Sequence, residues 1–152
     1  MLKFRGVSNL NLDAKGRIVL PARYRERLAE FCQGQLVVTI DTDQPCLLIY
    51  PLPEWEKIEE KIEALPSFNP TTRRIQRLLI GHATEVEVDA NGRMLLSNPL
   101  REYAQFGKKV VLIGQGKKFE LWDETRWQQS METWLEESNG EEMPGALAEL
   151  TL

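Results

Sequence analysis

The sequence has little of what enzymes and metal centres usually require. It contains one histidine, His82, and two cysteines, Cys32 and Cys46, which lie 14 positions apart. These residues match no zinc-site spacing, and the chain has no phosphate-binding glycine loop and no Gly-x-Ser-x-Gly turn. We expect the histidine to be structural and the cysteines to be reduced thiols in the core. The sequence therefore predicts no enzymatic activity, no metal, no cofactor and no small-molecule substrate.

Long apolar runs are absent as well. No run approaches the roughly 18 residues that cross a membrane, and the segment Met1–Arg5 lacks the apolar stretch of a signal peptide. The 152 residues are 42% hydrophobic and 28% charged, which is the composition of one globular domain or of two closely packed halves. We expect a cytoplasmic protein without a membrane partner.

The charge of the chain is distributed unevenly. The net charge of −4 by itself disfavours a nucleic-acid partner. However, residues 1–27 carry seven basic and two acidic side chains, a net charge of +5, whereas residues 119–152 carry one basic and nine acidic ones, a net charge of −8. Salt screens charges that lie further apart than roughly 8–10 Å, so a basic face can act independently of the total. The distribution is therefore compatible with DNA binding.

An internal repeat is the most informative feature of the chain. The segment Asp13–Arg17 (DAKGR) recurs 76 positions later as Asp89–Arg93 (DANGR), with four of five residues identical. The segments that follow also match in kind, as far as Trp55 in the first copy and Trp127 in the second. Two copies are too few for a solenoid, so we predict a pseudo-twofold domain made of two half-domains.

Each copy is predicted to contain a strand, a turn, a strand, a helix, a hairpin and a helix, which gives an α+β fold. The second hairpin is expected to turn at Gly114–Gly116. Strands this short would have to pair across the two halves to bury both faces of their sheets. The helices predicted at 53–65, 70–80 and 123–138 are amphipathic, and their apolar stripes fit either packing on the sheet or contact with another subunit.

The repeated motif has a structural and a functional interpretation. Aspartate and glycine suit a tight connection between strands, because the carboxylate binds backbone amides and glycine permits positive φ. Such a turn has no steric need for the arginine that follows the glycine in both copies. Arg17 can hydrogen-bond Asp13 and fix the turn, it can bind a ligand with its charged fork, or it can do both.

Basic residues around the first turn favour phosphate binding. Lys15 and Arg17 lie in one turn, and Arg5 lies upstream. In the second copy Asn91 replaces the lysine, and an amide can hydrogen-bond a base edge or a phosphate but releases no counterion. We therefore expect the two turns to contribute unequally to binding.

These motifs resemble those of MraZ, a family of bacterial regulators encoded at the head of the division and cell-wall gene cluster. The resemblance extends from about Phe4 to about Trp127 and is specific because the motif is paired, whereas the acidic C-terminus carries no matching motif. Besides the two turns, it rests on four segments: residues 21–25 (PARYR), 47–55 (LLIYPLPEW), 77–83 (RLLIGHA) and 119–124 (FELWDE).

The resemblance implies a fold. It is a pseudo-twofold, swapped-hairpin (AbrB-like) β-barrel made of two SpoVT/AbrB-type half-domains, with amphipathic helices packed outside. On this chain the half-domains are expected at 7–54 and 83–126. A helical spacer separates them at 55–82, and a C-terminal helix and acidic tail follow at 127–152.

The resemblance also implies a function. It implies a sequence-specific transcriptional regulator, associated with the nucleoid, that assembles as a homo-oligomeric ring. Its partner would be double-stranded DNA with tandem promoter repeats, in the division and cell-wall cluster and before its own gene. The family's DNA-contacting motif falls on Lys15, Arg17 and Arg93, to which the alignment of the two copies adds Asn91 and the charge pattern adds Arg5. The residues expected to order the turns are Asp13, Gly16, Asp89 and Gly92.

Two other function classes compete with this hypothesis. AbrB-type barrels also serve as the antitoxin half of protein pairs, and the acidic tail could dock a basic partner, so a protein-binding module is the main alternative. A small barrel enzyme comes third. The salt dependence of DNA binding separates the first two, because phosphate-driven binding weakens steeply as salt rises.

Overall fold

The computed structural model describes residues 2–137 and 145–150. The strands within this part of the chain are β1 (Phe4–Asn11), β2 (Arg17–Val19), β3 (Gln35–Ile40), β4 (Leu47–Pro51), β5 (Thr84–Glu87), β6 (Arg93–Leu95), β7 (Lys109–Gly116) and β8 (Phe119–Asp123). The helices are α1 (Ala22–Cys32), α2 (Leu52–Glu63), α3 (Pro70–Ile75), α4 (Asn98–Ala104), α5 (Glu124–Glu137) and α6 (Gly145–Ala148), and a π-helical segment, Gln76–Ile80, continues α3.

The strands form an antiparallel six-stranded sheet and a separate two-stranded ribbon. The sheet has the order β1-β7-β8-β4-β3-β5, and the ribbon pairs β2 with β6. Exchanging the two copies of the repeat, so that β1 replaces β5 and β3 replaces β7, reproduces the same order read backwards. The halves are therefore related by a pseudo-twofold, as the repeat predicts. Each half sends its first strand into the other half, so the expected pairing across the halves is confirmed.

The sheet is open, which corrects one expectation. The α+β class is confirmed, but the strands of the described residues form no closed barrel, because the sheet ends at β1 on one side and β5 on the other. The reason lies in the ribbon. Strands β2 and β6 have three residues each, and they pair with each other instead of extending the ladders of β1 and β5.

The main core lies between the sheet, the ribbon, α1 and α4. The ribbon contributes Ile18 and Met94, which face each other across the ladder and are 0% and 1% exposed. Burying side chains of this size stabilises the fold by about 1.5–3 kcal/mol each. Helix α1 contributes Tyr24 and Leu28, and α4 contributes Leu100. Alternation along the short ribbon strands then sends their other residues to the outer surface.

Helices α2 and α5 cover two smaller apolar clusters. Trp55 on α2 is buried and its ring centroid lies 5.6 Å from that of Tyr50. Trp127 on α5 packs edge-on against Trp122, also at 5.6 Å. Of the two arrangements that the apolar stripes allow, these two repeat-related tryptophans therefore adopt packing on the sheet. Phe68, which follows α2, is by contrast 86% exposed.

Several local expectations can be compared with the structure. Cys32 and Cys46 are buried free thiols, as expected. Gly114–Gly116 was expected at the hairpin turn but ends strand β7, and the connection to β8 falls on Lys117–Lys118 instead. Glycine is needed at 114 because a Cβ there would lie 2.5 Å from the Arg5 amide nitrogen of the paired strand. The expected loosely held acidic tail lies largely outside the described residues.

Candidate nucleic-acid interface

The first repeated motif forms a compact turn between β1 and β2. One carboxylate oxygen of Asp13, Oδ1, accepts hydrogen bonds from the backbone N–H groups of Lys15 and Arg17, both at 2.9 Å. The other oxygen, Oδ2, accepts from Arg17 Nε at 2.7 Å. Gly16 lies between them with φ +86°, a conformation that other residues rarely adopt. The aspartate and the glycine thus set the turn, and the aspartate also fixes the arginine.

The second motif repeats this geometry between β5 and β6. Asp89 accepts from the backbone N–H groups of Asn91 and Arg93 at 2.9 Å, and from Arg93 Nε at 2.9 Å. Gly92 has φ +77°. The aspartate and the glycine that were predicted to order each turn therefore occupy equivalent positions in the two copies. Asn91 stands where the first copy has Lys15, and the backbone geometry of the turn is the same.

Both turn carboxylates are stabilised in their charged form. The backbone N–H of Arg17 and the side chain of the same residue lower the pKa of Asp13 below its usual range. The corresponding groups of Arg93 lower the pKa of Asp89. Hydrogen bonds donated to a carboxylate are stronger than those donated to the neutral carboxyl group and favour ionisation, so both aspartates are charged at neutral pH.

The ribbon places the two turns at its opposite ends. The carbonyl of Gly16 accepts from Leu96 N at 2.9 Å, and the carbonyl of Gly92 accepts from Leu20 N at 2.8 Å. Gly16 and Gly92 are thus separated by four residues along the ribbon, a distance of about 13 Å at the usual rise per residue. A single chain therefore presents two matched arginine turns on one rigid support.

The outer face of the ribbon is both basic and apolar. It carries Arg17 and Arg93, which are 26% and 33% exposed at the side chain, and Val19 and Leu95, which are 47% and 54% exposed. The aspartates engage the Nε atoms, and the terminal guanidinium nitrogens of these arginines have no hydrogen-bond partner within residues 2–137 and 145–150. Each arginine is therefore held in place while its terminal N–H groups remain available to a ligand.

The two turns differ in charge. Asp13, Lys15 and Arg17 give the first turn a net charge of +1, whereas Asp89 and Arg93 cancel in the second. The surroundings increase this difference, because Lys108 lines the depression beside the first turn and Glu26 lines the corresponding depression beside the second. The expected inequality of the two copies is present in their electrostatics.

Arg5 lies far from the first turn. It is exposed at the start of β1, paired with Gln115, while the first turn begins after the other end of that strand. The eight positions between Arg5 and Asp13 correspond to about 26 Å of extended chain. Arg5 instead borders a surface depression with Lys3 and Arg27. The structure thus does not bring this predicted residue together with Lys15 and Arg17 of the first turn.

Two arginines outside the predicted set of site residues lie behind the turns. Arg101 on α4 belongs to the second half, yet it packs under Gly16 of the first turn. Arg25 on α1 belongs to the first half and packs under Gly92 of the second. The 76-residue offset of the repeat relates these two positions to each other and could have identified the pair. Only the fold shows that each arginine lies beside the turn of the opposite half.

Other chemically active groups have local structural roles. His82 Nδ1 lies 2.8 Å from the Leu78 carbonyl oxygen, as in a hydrogen bond that ends a helix. The acidic and thiol groups of Asp41, Cys46 and Glu120 approach one another within 4.8 Å. Both carboxylates there accept hydrogen bonds, from Gln44 N and from Trp122 Nε1, and burial raises the pKa of the Cys46 thiol. The Cys46 thiol in turn contacts the Asp41 carboxylate, so each of the three groups has a partner within the protein.

None of the described helices is both long and apolar enough to span a membrane.

The fold and its paired turns define a tandem-repeat protein that presents two arginine turns on one ribbon. A family model described as "MraZ protein, putative antitoxin-like" matches the chain twice, over residues 3–78 and 79–145. Proteins named transcriptional regulator MraZ are 57% identical in Halorhodospira halophila, 56% in Coxiella burnetii and 54% in Alkalilimnicola ehrlichii. Each of these alignments covers 98% of this chain and 99% of the relative. The chain belongs to the MraZ family of transcriptional regulators.

The comparisons confirm the resemblance and the duplication together. The same family model matches each half separately, and the boundary between its two matches falls between the two repeats. The relatives are named as regulators of transcription and not as enzymes. These names favour the regulatory function over the antitoxin-like alternative.

The lowered carboxyl pKa values lead to a prediction about acid. A depressed pKa in the folded state means that the stabilisation from the turns is complete above the unfolded value of about 3.9 and is lost as the pH falls through the folded value. We expect NMR titration of the carboxyl carbons to give values below about 3.9 for Asp13 and Asp89. Arg17→Ala should raise the pKa of Asp13 only in part, because the backbone N–H remains, and should leave Asp89 unchanged. Titration of Asp13 at or above the peptide value would contradict this account.

Proposed function

We propose that the chain regulates transcription by binding double-stranded DNA through the two Asp-x-x-Gly-Arg turns and the ribbon between them. One observation carries the proposal: two arginines are fixed by aspartates in identical geometry, in turns whose glycines lie about 13 Å apart along the ribbon, and their terminal nitrogens have no hydrogen-bond partner in the described residues. The arginine fork fits phosphate oxygens and the O6 and N7 atoms of guanine. Prior fixation of the side chain lowers the entropy lost on binding.

The dimensions of the ribbon fit one groove of DNA. The major groove of B-DNA is about 12 Å wide and admits a two-stranded β-ribbon. With the turns about 13 Å apart, Lys15 and Asn91 at their tips can reach the phosphates on the two sides of the groove. Arg17 and Arg93 then lie over the base edges. Val19 and Leu95 on the same face offer apolar contact to thymine methyl groups.

Arg5 has a secondary part in this proposal. Because it lies about 26 Å of strand away from the first turn, it contributes to the basic field of the N-terminal segment and not to the groove contact.

We also propose that the fold is a variant of the swapped-hairpin architecture. The exchange of first strands between the halves supports this, with the β2–β6 ribbon covering the open side of the sheet. In this form the ribbon is the part of the domain that faces DNA.

Several copies of the chain would act together. Large apolar side chains remain exposed on α5 and on the segment between α2 and α3, including Met131, Trp134 and Phe68. A closed homo-oligomeric ring would cover them and present several turn pairs along tandem DNA repeats. Such repeats in the promoter of the division and cell-wall cluster, including the chain's own gene, are the proposed target, bound in the cytoplasm at the nucleoid.

The first functional prediction concerns Arg17. We expect Arg17→Ala to abolish specific DNA binding at physiological salt while the protein still folds and assembles, because the outer ribbon face loses one of its two fixed forks. Fluorescence anisotropy with a labelled promoter duplex measures the dissociation constant. Lys117→Ala is the matched control, since it removes one positive charge at the end of β7 that lies away from the turns. An unchanged dissociation constant for Arg17→Ala would falsify the assignment.

A second prediction separates the two turns. Lys15→Ala should reduce the slope of log affinity against log salt by about 0.9 for each chain that contacts DNA, because one phosphate contact is lost. Asn91→Ala should change the slope little, since the amide releases no counterion. The same anisotropy assay at a series of salt concentrations gives both slopes. Equal slope changes in the two variants would show that the turns are used equivalently.

A third prediction concerns assembly. Light scattering coupled to size exclusion should give a mass more than twice the 17.5 kDa of one chain. Trp134→Glu should reduce the mass, because the charge cannot be buried in a subunit contact, and affinity for tandem repeats should fall with it. A mass of one chain at micromolar concentration, with intact DNA affinity, would rule out both the ring and the avidity.

A further inference from the structure

Each turn is supported from behind by an arginine of the opposite half. Arg101 Nε donates to the Leu96 carbonyl at 3.0 Å, and Arg25 Nε donates to the Leu20 carbonyl at 2.8 Å. These carbonyls belong to the residues that leave the two ribbon strands, so the helices α4 and α1 hold their arginines in equivalent places. A further N–H of Arg25 approaches the Asn91 carbonyl, and one of Arg101 binds the Asn98 side chain.

The guanidinium groups lie against the glycines of the turns. A Cβ at Gly16 would lie 2.6 Å from Arg101 Cζ, and a Cβ at Gly92 would lie 2.5 Å from Arg25 Nε. Both distances are shorter than van der Waals contact allows. Glycine thus has two roles at each turn: it permits the positive φ, and it leaves the space in which the arginine of the other half lies, so that a side chain there would have to displace this arginine.

The charges of these two arginines are not compensated by ion pairs. Among residues 2–137 and 145–150, ion pairs within 4.0 Å join Arg17 to Asp13, Arg93 to Asp89 and Lys57 to Glu54. Arg25 and Arg101 bind carbonyl and amide oxygens instead. Counting only the groups of the turns, Arg101 raises the first turn from +1 to +2, and Arg25 raises the second from 0 to +1.

We propose that Arg25 and Arg101 are phosphate-binding residues of the DNA interface, each completing the turn of the opposite half. The proposal rests on the DNA-binding function proposed above. Within each turn the aspartate that orders the arginine also neutralises it. The same ion pair therefore fixes the turn and cancels the positive charge of its arginine. The arginine behind the turn restores that charge at a fixed position.

The geometry leaves each guanidinium able to bind a phosphate. Arg25 uses Nε and one terminal nitrogen for carbonyl oxygens, and Arg101 uses Nε and one terminal nitrogen for Leu96 and Asn98. The second terminal nitrogen of each has no hydrogen-bond partner in the described residues. Both side chains are half-buried, so little rotamer freedom remains to be lost on binding. A phosphate at the turn would be recognised by backbone amides, the turn side chain and this additional fork.

The second turn depends on this contribution more than the first. It has Asn91 where the first has Lys15, and Glu26 lies beside it. Arg25 is then the group that makes the second turn positive. Loss of Arg25 should therefore reduce DNA affinity by a larger factor than loss of Arg101.

The salt dependence of DNA binding tests the proposal. The variants are Arg25→Gln, Arg101→Gln and the charge-conserving Arg25→Lys, measured as full-length chains by anisotropy with a labelled promoter duplex. Arg27→Gln is the matched control, because Arg27 lies two positions along the same helix and binds the Lys3 carbonyl instead of a turn. Circular dichroism and light scattering establish that each variant is folded and assembled.

We expect both glutamine variants to lower the salt slope by about 0.9 per engaged chain, with at least a tenfold loss of affinity for Arg25→Gln at physiological salt. Arg25→Lys and Arg27→Gln should keep the wild-type slope. A weaker affinity with an unchanged slope would overturn the proposal, because it would show that the arginines only support the turns. If Arg25→Gln does not fold, Arg101→Gln and Arg25→Lys give the same decision.

The result also separates this proposal from the function on which it rests. If the wild-type chain binds no DNA at low salt, the proposed function fails. If the wild-type chain binds and both glutamine variants bind with its affinity and slope, only the role of Arg25 and Arg101 fails.

Discussion

The pairing of β2 with β6 is the interaction on which the candidate interface depends. Each strand has only three residues, and neither could form a stable structure alone. Ile18 and Met94 face the core and hold the ribbon to the domain, while the residues between them and the turns face outward. Because the two strands come from different halves, the ribbon exists only when both copies of the repeat fold together. It thereby fixes the distance and the relative direction of the two turns.

The turns show how order and charge oppose each other at an exposed site. A carboxylate that accepts two backbone amides and an arginine Nε gives a well-defined turn, but it also cancels the charge of that arginine. The remaining positive charge must come from elsewhere. At the first turn Lys15 and Arg101 provide it, and at the second Arg25 does. The exchange of strands between the two copies makes this possible, because it places Arg25 of helix α1 behind the second turn and Arg101 of helix α4 behind the first.

The two faces of the sheet have different tasks. The face toward the ribbon holds the main core, and the opposite face holds two aromatic clusters under α2 and α5. The ribbon side therefore presents the charged turns, and the outer helices present the exposed apolar residues that subunit contacts would cover. The proposed assembly and the proposed DNA binding would therefore use different surfaces of one small domain.

The sequence by itself determined the duplication, the α+β class, the order of the elements and the paired aspartates, glycines and arginines, because local patterns and a 76-residue offset encode all of these. It did not determine that the sheet stays open, since closure depends on how far β2 and β6 extend. It placed Arg5 in the candidate site on charge alone, and the length of β1 separates that residue from the turns. It did not place Arg25 and Arg101 beside the turns, because their surroundings are formed by residues of the other half. Only the tertiary structure decides such contacts, because strand exchange joins positions that lie 67 and 85 residues apart in the chain, Arg25 with Gly92 and Gly16 with Arg101.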